Sequence, residues 1–102
     1  MSGKKYEVRL TRKARTDLES IYRYIGKELC NPTAAENLAD KFEKAFDQIS
    51  VFPLSCPLGK TEPEYRKLIV DNYIAFYKSR EETGILVVYR VFYGMMDYDK
   101  YL

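Results

Sequence analysis

The sequence contains no histidine, and that absence removes much side-chain chemistry. Without an imidazole there is no Ser-His or Cys-His nucleophile and no His-ligated metal. Proton transfer would fall to Tyr, Lys, carboxylates or water held by Arg, and no metal or cofactor is expected. No apolar run approaches the ~20 residues of a membrane span, and no charged-then-apolar leader opens the chain. A soluble cytoplasmic protein with its N-terminus intact and no membrane contact is therefore expected. Cysteine is scarce too. Cys30 and Cys56 lie near opposite ends of a predicted helix of about 20 residues, roughly 30 Å of rise apart. A disulfide needs Cα atoms within about 7 Å, so two free thiols in a reducing compartment are expected. Five glycines and four prolines in 102 residues exclude a disordered or fibrous chain. That length suits one domain, 1–102.

Tyrosine is abundant, with ten copies. Net charge is only +2, but its distribution is uneven. Lys4 to Arg15 carries six basic residues against Glu7, while Glu36 to Asp47 carries four acids against Lys41 and Lys44. One end of the fold should be basic and part of one helix acidic.

Lys4 to Leu10 sets Tyr6, Val8 and Leu10 against Glu7 and Arg9, the alternation of a half-buried strand. Thr11 can cap a following helix whose apolar stripe is Ala14, Leu18, Ile21, Tyr22, Ile25 and Leu29. Asn31 and Pro32 signal a second start, and Ala35, Leu38, Phe42, Ala45, Phe46 and Ile49 form its stripe, ending before Pro53. So short a connection implies an antiparallel helical hairpin. Pro53 to Glu64 reads as a crossing loop. Strands follow at Tyr65–Val70, Tyr73–Arg80 and Ile85–Tyr93, with Asp71-Asn72 and EETG as turns. The last strand is apolar on both alternates apart from Arg90, as a central strand would be.

These pieces predict an α+β fold of order β-α-α-β-β-β, its helical hairpin packed on one face of a mainly antiparallel four-stranded sheet. Leu68, Val70, Ile74, Phe76, Leu86, Val88 and Phe92 are expected to meet the helices. Lys67, Ile69, Tyr73, Tyr77, Tyr89 and Tyr93 then form an open aromatic and basic platform on the other face, suited to a macromolecular partner, with Met95 and Met96 adaptable neighbours. Arg66 falls on the core-facing alternate and needs a partner, for which Asp17 is the candidate ion pair. Arg90 shares the Val88 and Phe92 alternate, where Glu19 or Asp17 could neutralise it. Asp97 could cap a terminal helix turn.

The succession YEVRLTRKARTDLESIYRYI, NPTAAENL, FPLSCPLG, YRKLIVDNYIAFY and VVYRVFYGMMDYDKYL resembles the RelE/ParE superfamily of type II toxins over nearly the whole chain. The resemblance implies a cognate antitoxin partner that wraps the toxin. It also implies one of two targets: DNA gyrase for the ParE branch, or ribosome-bound mRNA for the ribonuclease branch. In the ribonucleases, cations hold the scissile phosphate, and Lys60, Arg66, Lys67, Arg90 and Tyr93 would be the catalytic candidates here. Two arginines usual in that branch fall at Tyr73 or Ile74 and near Met95 or Met96. Losing one such contact costs roughly 10²–10³ in rate. The MD ending is similar to ParE-like chains, so the resemblance leans to that branch, with a ribonuclease or an inactive toxin retained as antitoxin partner as the alternatives.

Overall fold

The computed structural model describes residues 5–59 and 64–94. Strand β1 spans Glu7–Leu10, helix α1 Arg12–Arg23 and helix α2 Pro32–Val51; strands β2, β3 and β4 span Arg66–Val70, Tyr73–Arg80 and Ile85–Tyr93. A single π-helical turn, Tyr24–Glu28, extends α1. Thr11 caps α1 by accepting from the Ala14 amide, and Asn31 caps α2 by accepting from Ala34, ahead of Pro32 in the first helical turn. The π turn holds one more residue than an α turn. It carries Leu29 off the apolar stripe, and Leu29 is exposed instead of buried as its spacing suggested.

The sheet order is β1-β4-β3-β2, with β1 parallel to β4 and the other pairs antiparallel. Both helices pack on one face. Ala14 and Leu18 of α1 and Leu38, Phe42 and Ile49 of α2 join Leu68, Val70, Ala75, Tyr77, Leu86, Val88 and Val91 in the main core. The α+β fold and element order are those expected, and β4 is central.

The faces of β3 and of the end of β4 are the reverse of the expectation. The turn at Asp71-Asn72 sets Val70 directly opposite Tyr73, Leu68 opposite Ala75 and Arg66 opposite Tyr77. Opposed residues share a face. With Leu68 and Val70 toward the helices, Tyr73, Ala75 and Tyr77 must point there too, and Ile74 and Phe76 point away. The second reversal is a β-bulge. Tyr77 pairs with Val88 but Phe76 with Arg90, so Tyr89 is an extra residue in β4. The parity of β4 changes there. Leu86, Val88 and Val91 face the helices, while Phe92 joins Ile74 and Phe76 in a separate cluster with Tyr65 packed against it.

Cys30 and Cys56 are free thiols, the first exposed and the second half-buried. Among the described residues no helix is long and apolar enough to cross a membrane.

Candidate functional site

The expected tyrosine platform is divided between the two faces of the sheet. Tyr77 is fully buried in the main core, where its hydroxyl donates to the Pro53 carbonyl at 2.7 Å. Burial, and next the Cys56 side chain beside it, hold that hydroxyl well above the ordinary tyrosine range. Tyr77 therefore fixes the crossing loop to the sheet and offers nothing to a partner. Tyr73 is also on the helix side, its ring 6.2 Å from that of Phe42.

Arg66 does not pair with Asp17. Its Nη1 donates to the Cys56 carbonyl at 2.7 Å, which ties the end of the crossing loop to β2. Asp17 instead binds Arg90. Arg90 Nε and Nη2 donate to its two carboxylate oxygens at 2.8 and 3.0 Å, and the Val91 amide donates to Oδ2 at 2.9 Å. The sheet geometry explains this choice. β1 ends where Leu10 meets Val88, so the next stretch of β4, paired with β3 on one side, has no strand on its other edge. α1 takes over that edge: Thr11 Oγ1 donates to the Tyr89 carbonyl at 2.7 Å, and Asp17 receives the Val91 amide. A carboxylate at this edge both replaces a missing strand and neutralises Arg90.

The face away from the helices is not an open tyrosine surface. Phe76 and Phe92 are buried there, with ring centroids 6.1 Å apart. Tyr65 packs edge-on to Phe76 at 6.3 Å and lies 5.1 Å from Tyr89. Lys78 Nζ sits 4.8 Å over the Tyr65 ring, and Arg90 Cζ 4.5 Å over Phe92. Lys67 shares this face, and so does Ile69, which is 65% exposed near the sheet edge.

Tyr93 belongs to a different place. It is half-exposed and meets Tyr73 at 5.8 Å, edge to face. With Ser20, Ile21 and Tyr24 these rings line an open groove of about 530 Å³ where α1 meets the ends of β3 and β4. The Tyr73 hydroxyl is held above the usual range, first by burial and then by its neighbours Tyr93, Tyr24 and Asp71, so it stays protonated at neutral pH. Tyr24 escaped the sequence reading. Its signal was present, since it is a tyrosine off the apolar stripe and one turn from Ser20 and Ile21. At the other end of the molecule a shallow cavity of about 910 Å³ is lined in part by Phe52, Leu54, Glu81 and Glu82.

The candidate residues thus do not converge. Arg66 lies on the helix side, Lys67 and Arg90 on the far side, and Tyr93 at the end groove. Lys60, Met95, Met96 and Asp97 lie outside the described residues.

This fold is shared with known proteins. The chromosomal ParDE toxin–antitoxin system of P. aeruginosa contains a chain that superposes with a TM-score of 0.71 at 19% identity, over 86% of this chain and 95% of that one. The toxin–antitoxin complex RelBE2 of Mycobacterium tuberculosis contains one with a TM-score of 0.65 at 26% identity, over 89% and 93%. No curated protein matches the sequence significantly. The family model described as the ParE toxin of the type II toxin–antitoxin system parDE matches residues 8–98. The chain belongs to this family of ParE toxins, within the RelE/ParE superfamily.

Proposed function

We propose that the chain is a cytoplasmic toxin that stops DNA gyrase by binding it, and that a cognate antitoxin covers it until release. The observation that carries this reading is that the described cations a ribonuclease would gather are split between the two faces of the sheet, Arg66 on one and Lys67 and Arg90 on the other. Arg66 is bonded to a backbone carbonyl. Arg90 is held by both oxygens of Asp17. Lys67 faces away from Arg66 across the sheet. A phosphoryl-transfer site needs its cations preorganised around one developing charge, and these three do not surround a common point. The antitoxin part of the reading is supported by two solved structures of this fold that are toxin–antitoxin assemblies.

Inducing the chain in cells tests the proposal. DNA replication should stop before translation. Early arrest of translation, with cleaved mRNA, would favour the second reading, a ribosome-dependent ribonuclease. The feature in favour of that reading is the group of Lys67, Lys78 and Arg90 among aromatic rings on the far face. Induction without growth arrest would mark an inactive toxin kept as an antitoxin partner.

A further inference from the structure

We propose that the outer face of α1 and the tyrosine groove beside it bind a single-stranded nucleic acid, its backbone along the helix and one base between the tyrosine rings. The charge on this rod is one-sided. Arg12, Lys13, Arg15, Arg23 and Lys27 are all exposed, and none makes an ion pair with a described residue. Of the acids between Arg12 and Glu28, Asp17 is committed to Arg90, which leaves Glu19 and Glu28. The first turn of α1 has no acid, although the helix dipole favours acids there. Arg12, Lys13 and Arg15 at that end thus work against the helix dipole, and helix stability does not account for them, whereas Arg23 and Lys27 sit in the last turns, where the dipole favours cations. α2 shows the opposite balance, with Glu36, Asp40, Glu43 and Asp47 against Lys41 and Lys44.

The second observation is the groove. Ser20 and Tyr24 line it, and Arg23 and Lys27 follow them on α1 at one-turn spacing. Tyr24 is 55% and Tyr93 48% exposed, so two rings are accessible beside the cationic stripe. A cationic track with adjoining aromatic rings is what a single strand requires: guanidinium and ammonium groups meet phosphates, and rings stack bases. A duplex keeps its bases stacked on one another and would leave the groove empty. An acidic peptide would use the cations but not the rings. The inference goes beyond the toxin reading and needs neither gyrase nor ribosome.

Fluorescence anisotropy of a labelled oligothymidylate of about twelve nucleotides, titrated with the whole chain, tests it. A duplex of the same length and a polyglutamate peptide serve as the other arms. The single strand should bind about tenfold more tightly than the duplex, and log K should fall linearly with log salt, with a slope near −0.7 per phosphate contacted. Arg12→Gln with Arg23→Gln should reduce that slope. Tyr24→Phe should preserve binding, and Tyr24→Leu should weaken it about tenfold. All these side chains are exposed, and unchanged melting curves would show that the variants fold. No binding at low salt, equal binding to the duplex, or tight binding of polyglutamate with no effect of Tyr24→Leu would each overturn the proposal. Supercoiling assays on the same variants separate its failure from failure of the toxin reading.

Discussion

Asp17 and Arg90 meet 73 residues apart in sequence, through two hydrogen bonds of 2.8 and 3.0 Å that tie α1 to the edge of β4. Their side chains are 15% and 19% exposed, so the pair is largely withdrawn from water. Asp17→Ala would strand the Arg90 guanidinium and the Val91 amide. The expected loss is about 3–5 kcal/mol. Asp17→Asn should cost less, because the amide oxygen still accepts from Val91. A double-mutant cycle with Arg90→Gln, read by urea denaturation, should show strong coupling, whereas Asp17 with Arg66 should show almost none.

Tyr77 and Phe76 test which alternate of β3 enters the helix-side core. Tyr77→Phe keeps the ring and loses the bond to the Pro53 carbonyl, at a cost of about 1–2 kcal/mol. Tyr77→Ala should cost about 3–5 kcal/mol, as for any large ring deleted from a packed interior. Little effect of Tyr77→Ala in chemical denaturation would contradict the register set by Val70 and Tyr73.

Alkaline pH should loosen the fold. Burial pushes the Tyr22 hydroxyl to about 12 and raises that of Tyr77 as well. A hydroxyl whose folded pKa lies above the unfolded value contributes stability that is complete below the unfolded pKa, near 10. That contribution is lost as pH rises from there through the folded pKa. Denaturation midpoints should therefore fall between about pH 10 and 12, and Tyr22→Phe should flatten part of the fall. Ultraviolet titration should show these two tyrosines ionising after the exposed ones.

Gly94 closes β4 against the β2–β3 turn. Its amide donates to the Asn72 carbonyl at 2.6 Å, and a Cβ there would lie 3.0 Å from that same oxygen. Gly94→Ala must push the turn or the strand end aside, at a cost of roughly 1–3 kcal/mol. Thermal melting, with hydrogen exchange at residue 94, would register it.

Local signals reported the elements faithfully. Thr11, Asn31 and Pro32 marked the helix starts, and the apolar and aromatic runs between the turn signals marked β3 and β4 to their observed bounds. Which way the strands face depends on parity, and parity is changed by single residues. The two-residue turn at Asp71-Asn72 already determined that Val70 and Tyr73 share a face, so the inward path of Tyr77 was legible and was missed. The bulge at Tyr89 was not legible, because nothing in VVYRVF distinguishes an extra residue from regular alternation. The same holds for the π turn at Tyr24–Glu28, which moved Leu29 outward. Arg66 was correctly seen to need a partner, but a backbone carbonyl leaves no mark in a sequence. For the site, Tyr93 and Tyr73 were named for a platform that the fold divides, and Tyr24 completes the groove they share.

The central claim, inhibition of gyrase by binding, is tested most directly by a supercoiling assay with purified gyrase, run beside a translation extract containing intact mRNA. The chain should block supercoiling, Arg66→Gln and Lys67→Gln should retain the block, and the mRNA should stay whole. Undisturbed supercoiling together with mRNA cleavage that disappears in those two variants would contradict it.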